Sequence, residues 1–363
     1  MLKAFALPAL LAGIIAAGVV AELRPASPAG AGDSPTESAA VRKVAAPNSL
    51  TARAVSAARA FKASLSSSQR VALQYPFDSS EKRSGWSNLP TNLVPPNGVA
   101  IKDLSSGQRV RLRTLLQTIL SSQGYADEVA VRKADAYLKH AQQKRDGPDR
   151  IFDYGAGLYY VSFFGTPSRS KKWTVQFGGH HYALHMTFRG ASVSHTPYFI
   201  GVNPPTTFKV GGKAYQPLAD EVAALFGAVR SLNASQRATA RLSQSFDDVL
   251  VGAQKDGKFP AKQGITVSTL STAQQKLVTR AIRSYVGAMP RKQANRRVAT
   301  YQKQYSRTRL AWSGTTDATT PGAYARIHGP QVWIELVMQE GTLVRSHHHS
   351  MERDIRRDYG AGM

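Results

Sequence analysis

Nine histidines offer most of the chemistry available to this chain, and seven of them fall in three short stretches. "WTVQFGGHHYALHMTF" carries His180, His181 and His185; "RIHGP" carries His328; "SHHHSMERDIRRDYG" carries His347, His348 and His349. Imidazoles at positions i and i+2 of a strand share a face and chelate one ion, so His347 and His349 form the first candidate pair. His181 and His185 also share a strand face. They stand about 13 Å apart along an extended chain, too far to share an ion, and either can join His347 and His349 if the C-terminal segment crosses the sheet. The chain has no Cys. A divalent metal here, whether Zn, Cu or Fe, therefore takes nitrogen and oxygen ligands, and no thiol or disulfide is available.

Acidic and basic partners lie close by in sequence. Glu335 suits a carboxylate ligand or a base for a bound water, and Asp354 is a second base. Arg353 reads two ways: it clamps an anionic substrate, or it joins Asp354, Asp358 and Tyr359 in a network that fastens the tail. Other reaction templates fail. Ser162 and Ser168 sit in no G-x-S-x-G elbow, and neither a phosphate-binding loop nor a dinucleotide fingerprint is present.

The elements that must position these residues announce themselves by a repeated phrase: "LSSSQR", "LSSGQR", "LNASQR" and "LSTAQQ". Each sets Ser or Asn three residues before Gln, the capping-box spacing, predicting helix starts at Ser66, Ser105, Asn233 and Ser271. Helical apolar spacing follows, as in Leu112, Leu115, Leu116 and Ile119. Each helical stretch then leads to a β-rich run, a Gly, a Thr/Ser/Pro loop and a second run. Laid on one another, the two series match His180-His181 with Pro330-Gln331, and His185 with Glu335, and imply an internal duplication. The expected architecture is α+β: two pseudo-duplicated halves, each a few helices plus a β-hairpin, forming one antiparallel sheet packed on helices. On the second-half strand, Val332, Ile334 and Leu336 are wholly aliphatic and should face the helices. That leaves His181, His185 and Glu335 on the opposite, polar face and sends His180 to the helix side. "TPYFIGVNPP" reads as a turn-rich connector with cis potential at Pro204 or Pro205.

Residues 1–21 read as an export signal, with Lys3 ahead of an apolar run and a small-residue site ending at Ala21. Residues 22–50, rich in Pro, Ala, Ser and Gly, read as a disordered linker. The first α+β half is placed at 51–230 and the second at 231–363, carrying the C-terminal His motif. The expected location is secreted or extracytoplasmic, with membrane contact only through the signal if it stays uncleaved. Net charge is +24, which favours anionic partners. Nine basic residues and no acidic one lie between Arg280 and Arg309. No zinc-finger or RNP-type signature accompanies them, so no specific nucleic-acid role is read. The leading function is an exported metal-binding protein, with hydrolysis of an anionic small molecule as its reaction. The alternative is a non-catalytic module binding anionic cell-envelope polymers through the basic surface.

The ordered set "FFGTPS…W…QFGGHH", "TPYFIGVNP", "RIHGP…IE" and "HHHS…RD…DYG" resembles the domain-of-unknown-function 3500 family from about Trp86 to Gly360. The resemblance implies a bacterial, often exported setting. It carries motif positions onto Gly178, Gly179, His180, His181, Glu335, His347, His349, Arg353, Asp354, Asp358 and Tyr359. His185 departs from the pattern, which tends to Asn there. The resemblance supports the place of the site and brings no reaction with it.

Overall fold

The structure is a computed structural model that describes residues 46–147, 152–341 and 346–363. The export segment 1–21 lies outside the described residues, as does most of the linker at 22–50. Its last residue, Leu50, already opens a helix.

All four repeated phrases start helices. The first run of elements is α1 (Leu50–Ala63), α2 (Ser67–Leu73), β1 (Gln74–Tyr75), α3 (Glu81–Ser84), β2 (Val99–Ala100), α4 (Ser106–Ile119) and α5 (Ser122–Asp146). Strands β3 (Tyr160–Phe164), β4 (Trp173–Gly179), β5 (Tyr182–Arg189), β6 (Ser192–Ser194) and β7 (Tyr198–Val202) follow. A small hairpin, β8 (Phe208–Val210) and β9 (Lys213–Tyr215), leads to α6 (Ala219–Arg230), α7 (Ala234–Ala240), β10 (Ile265–Thr266), α8 (Thr272–Val286) and α9 (Arg291–Gln302). The chain closes with β11 (Arg309–Ser313), β12 (Tyr324–His328), β13 (Val332–Glu340) and β14 (Ser346–Asp354). Ser66, Ser105, Asn233 and Ser271 each accept from the N–H three residues on, and the matching Gln bonds back to the cap. The box glutamines also meet across helices: Gln108 Nε2 donates to Gln69 at 2.9 Å and Gln274 Nε2 to Gln236 at 2.7 Å. A capping motif thereby doubles as a helix–helix contact.

The fold is mixed α+β, built on a 12-stranded sheet in the order β1-β3-β4-β5-β7-β14-β13-β12-β11-β10, with β2 added at β3 and β6 at β5. Every pairing in it is antiparallel except β1 with β3. One face packs on the helices: Phe177, Leu184, Ile200, Val332, Ile334 and Leu336 share a core with Leu115, Leu225 and Ile282. The aliphatic row of β13 faces the helices as its alternation requires. The other face is also buried, because loops rather than water cover it. Trp86, Leu242, Phe246 and Val249 pack there on Ala183, Phe199, Val337 and Met351.

The strands that join the two series differ from the sequence expectation. The hairpins β4–β5 and β12–β13 do not pair with each other. β7 and β14 lie between them, in register His349 with Gly201 and Met351 with Phe199. The stretch read as a connector is thus a central strand, all five of its residues buried. Its turn residues act at the ends, where Thr196–Pro197 and Asn203–Pro204 are cis.

Candidate metal centre

The site begins at the tip of the β4–β5 hairpin. β4 ends at Gly179 and β5 starts at Tyr182, so His180 and His181 are the two residues of the turn. Strand alternation does not govern them, and His180 meets a helix through Asp135 of α5 rather than through the aliphatic row of the sheet. Their rings stack with centroids 3.5 Å apart. The preceding glycine permits the turn to seat: a Cβ at Gly179 would lie 2.5 Å from the Leu158 carbonyl oxygen.

β14 supplies the second part. Alternation holds on this strand, placing His347 and His349 on the loop-covered face with centroids 4.7 Å apart. His348 points to the other face, where its Nε2 lies 3.0 Å from the Ala318 carbonyl oxygen. β7 brings the two parts together. The Gly201 N–H donates to the His181 carbonyl oxygen at 2.8 Å, and Gly201 pairs with His349. A Cβ at Gly201 would meet the Cδ2 atoms of His181 and His349 at 3.0 and 3.1 Å. A side chain there would have to push both rings back by a few tenths of an ångström.

His181 stands 5.7 Å from His347 and 5.4 Å from His349, centroid to centroid. One ligand nitrogen from each lies within 4.8 Å of the others. Both nitrogens of His181, Nδ1 of His347 and Nε2 of His349 are buried without a hydrogen-bond partner. Buried polar atoms are almost always partnered, so three rings that each bring an unpartnered nitrogen to one group fit a metal ion. The protonation states agree with that use. Burial, then the neighbouring His180, pulls His181 down to about 3. Burial, then His349 and His181, pulls His347 well below the usual imidazole range. Neutral rings offer lone pairs.

Supporting groups orient the ligands. His349 Nδ1 lies 2.8 Å from Asp248 Oδ1 and therefore carries the proton, leaving Nε2 free as donor to an ion. Asn88 Nδ2 holds the other Asp248 oxygen at 3.0 Å. Burial works against ionising Asp248, but His349, the Val249 N–H and Asn88 outweigh it and hold its pKa below the usual value. Behind His180 stands Asp135 of α5, whose Oδ1 lies 3.1 Å from His180 Nδ1 and whose Oδ2 accepts from Tyr159 at 2.9 Å. Asp135, His180 and His181 form a second group whose ligand atoms lie within 4.8 Å of one another. The half-buried His347 leaves the cluster one less enclosed side.

The other predicted residues are placed elsewhere. His185 Nδ1 lies 2.8 Å from the Pro197 carbonyl oxygen, and its ring abuts Trp86 and Tyr359. Glu335 does not turn to the histidines. Its carboxylate accepts from the N–H groups of Leu250 and Val251 at 2.8 Å each, and from Tyr324 and Trp333 at 3.0 Å each. Arg353, itself wholly buried, donates to the carbonyl oxygens of Val251 and Gly252 and to Asp256 and Asp358. It holds a loop and the tail, leaving no fork for a substrate. Asp354 pairs with Arg297. Tyr359 OH accepts from Trp86 Nε1 and donates to Asp256. These residues form a fastening network beside the histidine cluster, and the structure does not bring them into it.

Asp135, Asp248, Asn88 and Gly201 are the positions that sequence reasoning missed. Asp135 carried a readable signal, because it lies between Val131 and Leu138 on the buried stripe of α5. Asp248 and Asn88 sit in irregular loops and carried none.

No curated protein and no solved structure matches the chain. Residues 48–361 match the family described as "Protein of unknown function (DUF3500)", and the chain belongs to that family.

Proposed function

We propose that this protein binds a divalent metal ion through His181, His347 and His349, oriented by Asp248 and clamped over Gly201. The observation that carries the reading is the set of buried, unpartnered ring nitrogens facing one another. Three imidazoles without sulfur suit Zn, Cu or Fe, and a bound divalent ion supplies Lewis acidity at its open position. A hydrolytic role on an anionic substrate would draw its base from outside Glu335, Arg353 and Asp354, since those side chains are engaged in fastening loops. Metal analysis of the purified chain beside a His347→Ala/His349→Ala variant tests the proposal: about one ion per chain, lost in the variant, is expected. Equal metal content in both, or none in either, overturns it.

A second reading, binding of anionic envelope polymers, is favoured by one feature. Arg296, Arg297, Arg356 and Arg357 line a single concavity with Gln293 and Gln331. Burial, then the adjacent Arg297, lowers the Arg357 pKa, as crowded like charges do. Salt-sensitive retention on a polyanion column, weakened in Arg296→Gln/Arg356→Gln, would support it; unchanged retention would end it. An extracytoplasmic location remains part of the proposal, supported by the composition of residues 1–21; none of the described helices is long and apolar enough to cross a membrane.

The internal duplication is proposed on the order of elements. The series α1, α2, β1, β2, α4, α5, β3, β4, β5, β7 has the counterpart α6, α7, β10, α8, α9, β11, β12, β13, β14, with the parallel Arg241–Trp312 bridge in the place of β1. On this reading the boundary falls before Ala219 rather than at residue 230. A superposition of residues 50–202 on 219–354 that finds no common core would remove it.

A further inference from the structure

One ion on His181, His347 and His349 leaves the adjoining group unexplained. Asp135 is 1 % exposed, yet the groups that face its carboxylate are His180, His181 and Tyr159, none of them a guanidinium or ammonium. A buried carboxylate without a fixed cation is costly. The position favours positive charge.

His181 is the second anomaly. Its Nδ1 lies 3.6 Å from Asp135 Oδ1, beyond hydrogen-bonding distance, and neither ring nitrogen has a hydrogen-bond partner. The two nitrogens look to different sides. Nδ1 faces Asp135, while the Cδ2 edge that carries Nε2 lies over Gly201 beside the Cδ2 of His349. A single ion would engage only one of them.

We infer that the cluster is a two-ion centre, with one divalent ion on His181, His347 and His349, a second on Asp135, His180 and His181, and the His181 ring between them. This inference rests on the metal-binding reading above. With metal–nitrogen bonds near 2 Å, ions on the two nitrogens of one imidazole stand about 6 Å apart. Filling both positions removes the N–H proton of that ring to solvent, so uptake of the second ion releases a proton. His180 and Asp135 exchange their mutual contact for bonds to the ion, and the Tyr159 hydroxyl continues to hold the second Asp135 oxygen. The competing account is a His180 imidazolium paired with Asp135, which needs no second ion.

The test uses the full chain, stripped with a chelator, reloaded with Cu(II) and passed over a sizing column, alongside Asp135→Asn and His180→Ala. Exposed His140 is replaced by Ala throughout to remove a surface ligand. Two retained Cu(II) per chain with a magnetically coupled spectrum are expected, falling to one uncoupled ion in each variant. One ion per chain in the parent overturns the two-ion inference while leaving the one-ion reading in place. No retained ion overturns both. Two ions persisting in both variants would overturn the assignment of the second to Asp135 and His180. Since the parent stoichiometry decides the first question, the inference stays testable even if the Asp135 variant fails to fold.

Discussion

Two buried polar groups occupy the same face of one sheet and are built on opposite rules. Around Glu335 four donors meet four lone-pair positions, all within 3.0 Å. Around His181, His347 and His349 each ring keeps at least one buried nitrogen without a hydrogen-bond partner. Both groups are acceptors in a dry setting, so burial alone does not distinguish them. Satisfaction does. A carboxylate saturated by backbone N–H groups of Leu250 and Val251 pins a loop to the sheet. Neutral nitrogens gathered without partners weaken the fold unless something positive arrives. One group therefore reads as glue and the other as a receptor, although both are made of residue types that do chemistry.

Mutation should drive the two groups apart, and the largest effect belongs to the glue. Glu335→Ala strands four donors and should lower unfolding free energy by about 3–5 kcal/mol in a denaturant titration. A loss below about 1 kcal/mol would erase the contrast. His347→Ala/His349→Ala should do the reverse: at least a hundredfold weaker metal binding by calorimetry, with the metal-free protein no less stable than its parent. Marked destabilisation of that metal-free variant would move the histidines to the glue class. Asp248→Asn leaves every proposed ligand in place and disturbs only the orientation of His349. Metal affinity should fall about 10–100-fold, and unchanged affinity would remove Asp248 from the site.

The smallest effect concerns His185, a histidine of the glue region. Burial pulls it down to about 3, only partly opposed by the Pro197 carbonyl. Its folded pKa thus lies below the unfolded value near 6.5. The unfolded chain takes up the proton first, so the stability His185 contributes is complete above about pH 6.5. It declines as pH falls toward 3, by about 1 kcal/mol per pH unit. His185→Asn, which keeps a donor for the carbonyl, should flatten part of that decline between pH 7 and 5. Identical acid sensitivity in variant and parent would show that His185 does not set it.

Local patterns were legible where local physics decides. The four helix starts follow from Ser or Asn placed three residues ahead of Gln, a geometry complete within one turn. The alternation of "HHH" puts His347 and His349 on one face because strand periodicity is 2. The same rule does not apply at His180 and His181, where the strand has already ended in a turn. It also placed Glu335 on the correct face but could not say that Leu250 and Val251 would arrive to cap it.

The sequence by itself determined the α+β class, the helix caps, the face borne by each residue of β13 and β14, and the restriction to nitrogen and oxygen ligands. These depend on neighbours a few residues away or on composition. Tertiary structure alone decided that β7 and β14 meet at the centre, that Gly201 lies beneath both rings, and that Asp135 and Asp248 stand behind them. Those facts join residues dozens to more than two hundred positions apart. Their proximity is set by how the whole sheet packs between helices and loops, and no short-range pattern records it.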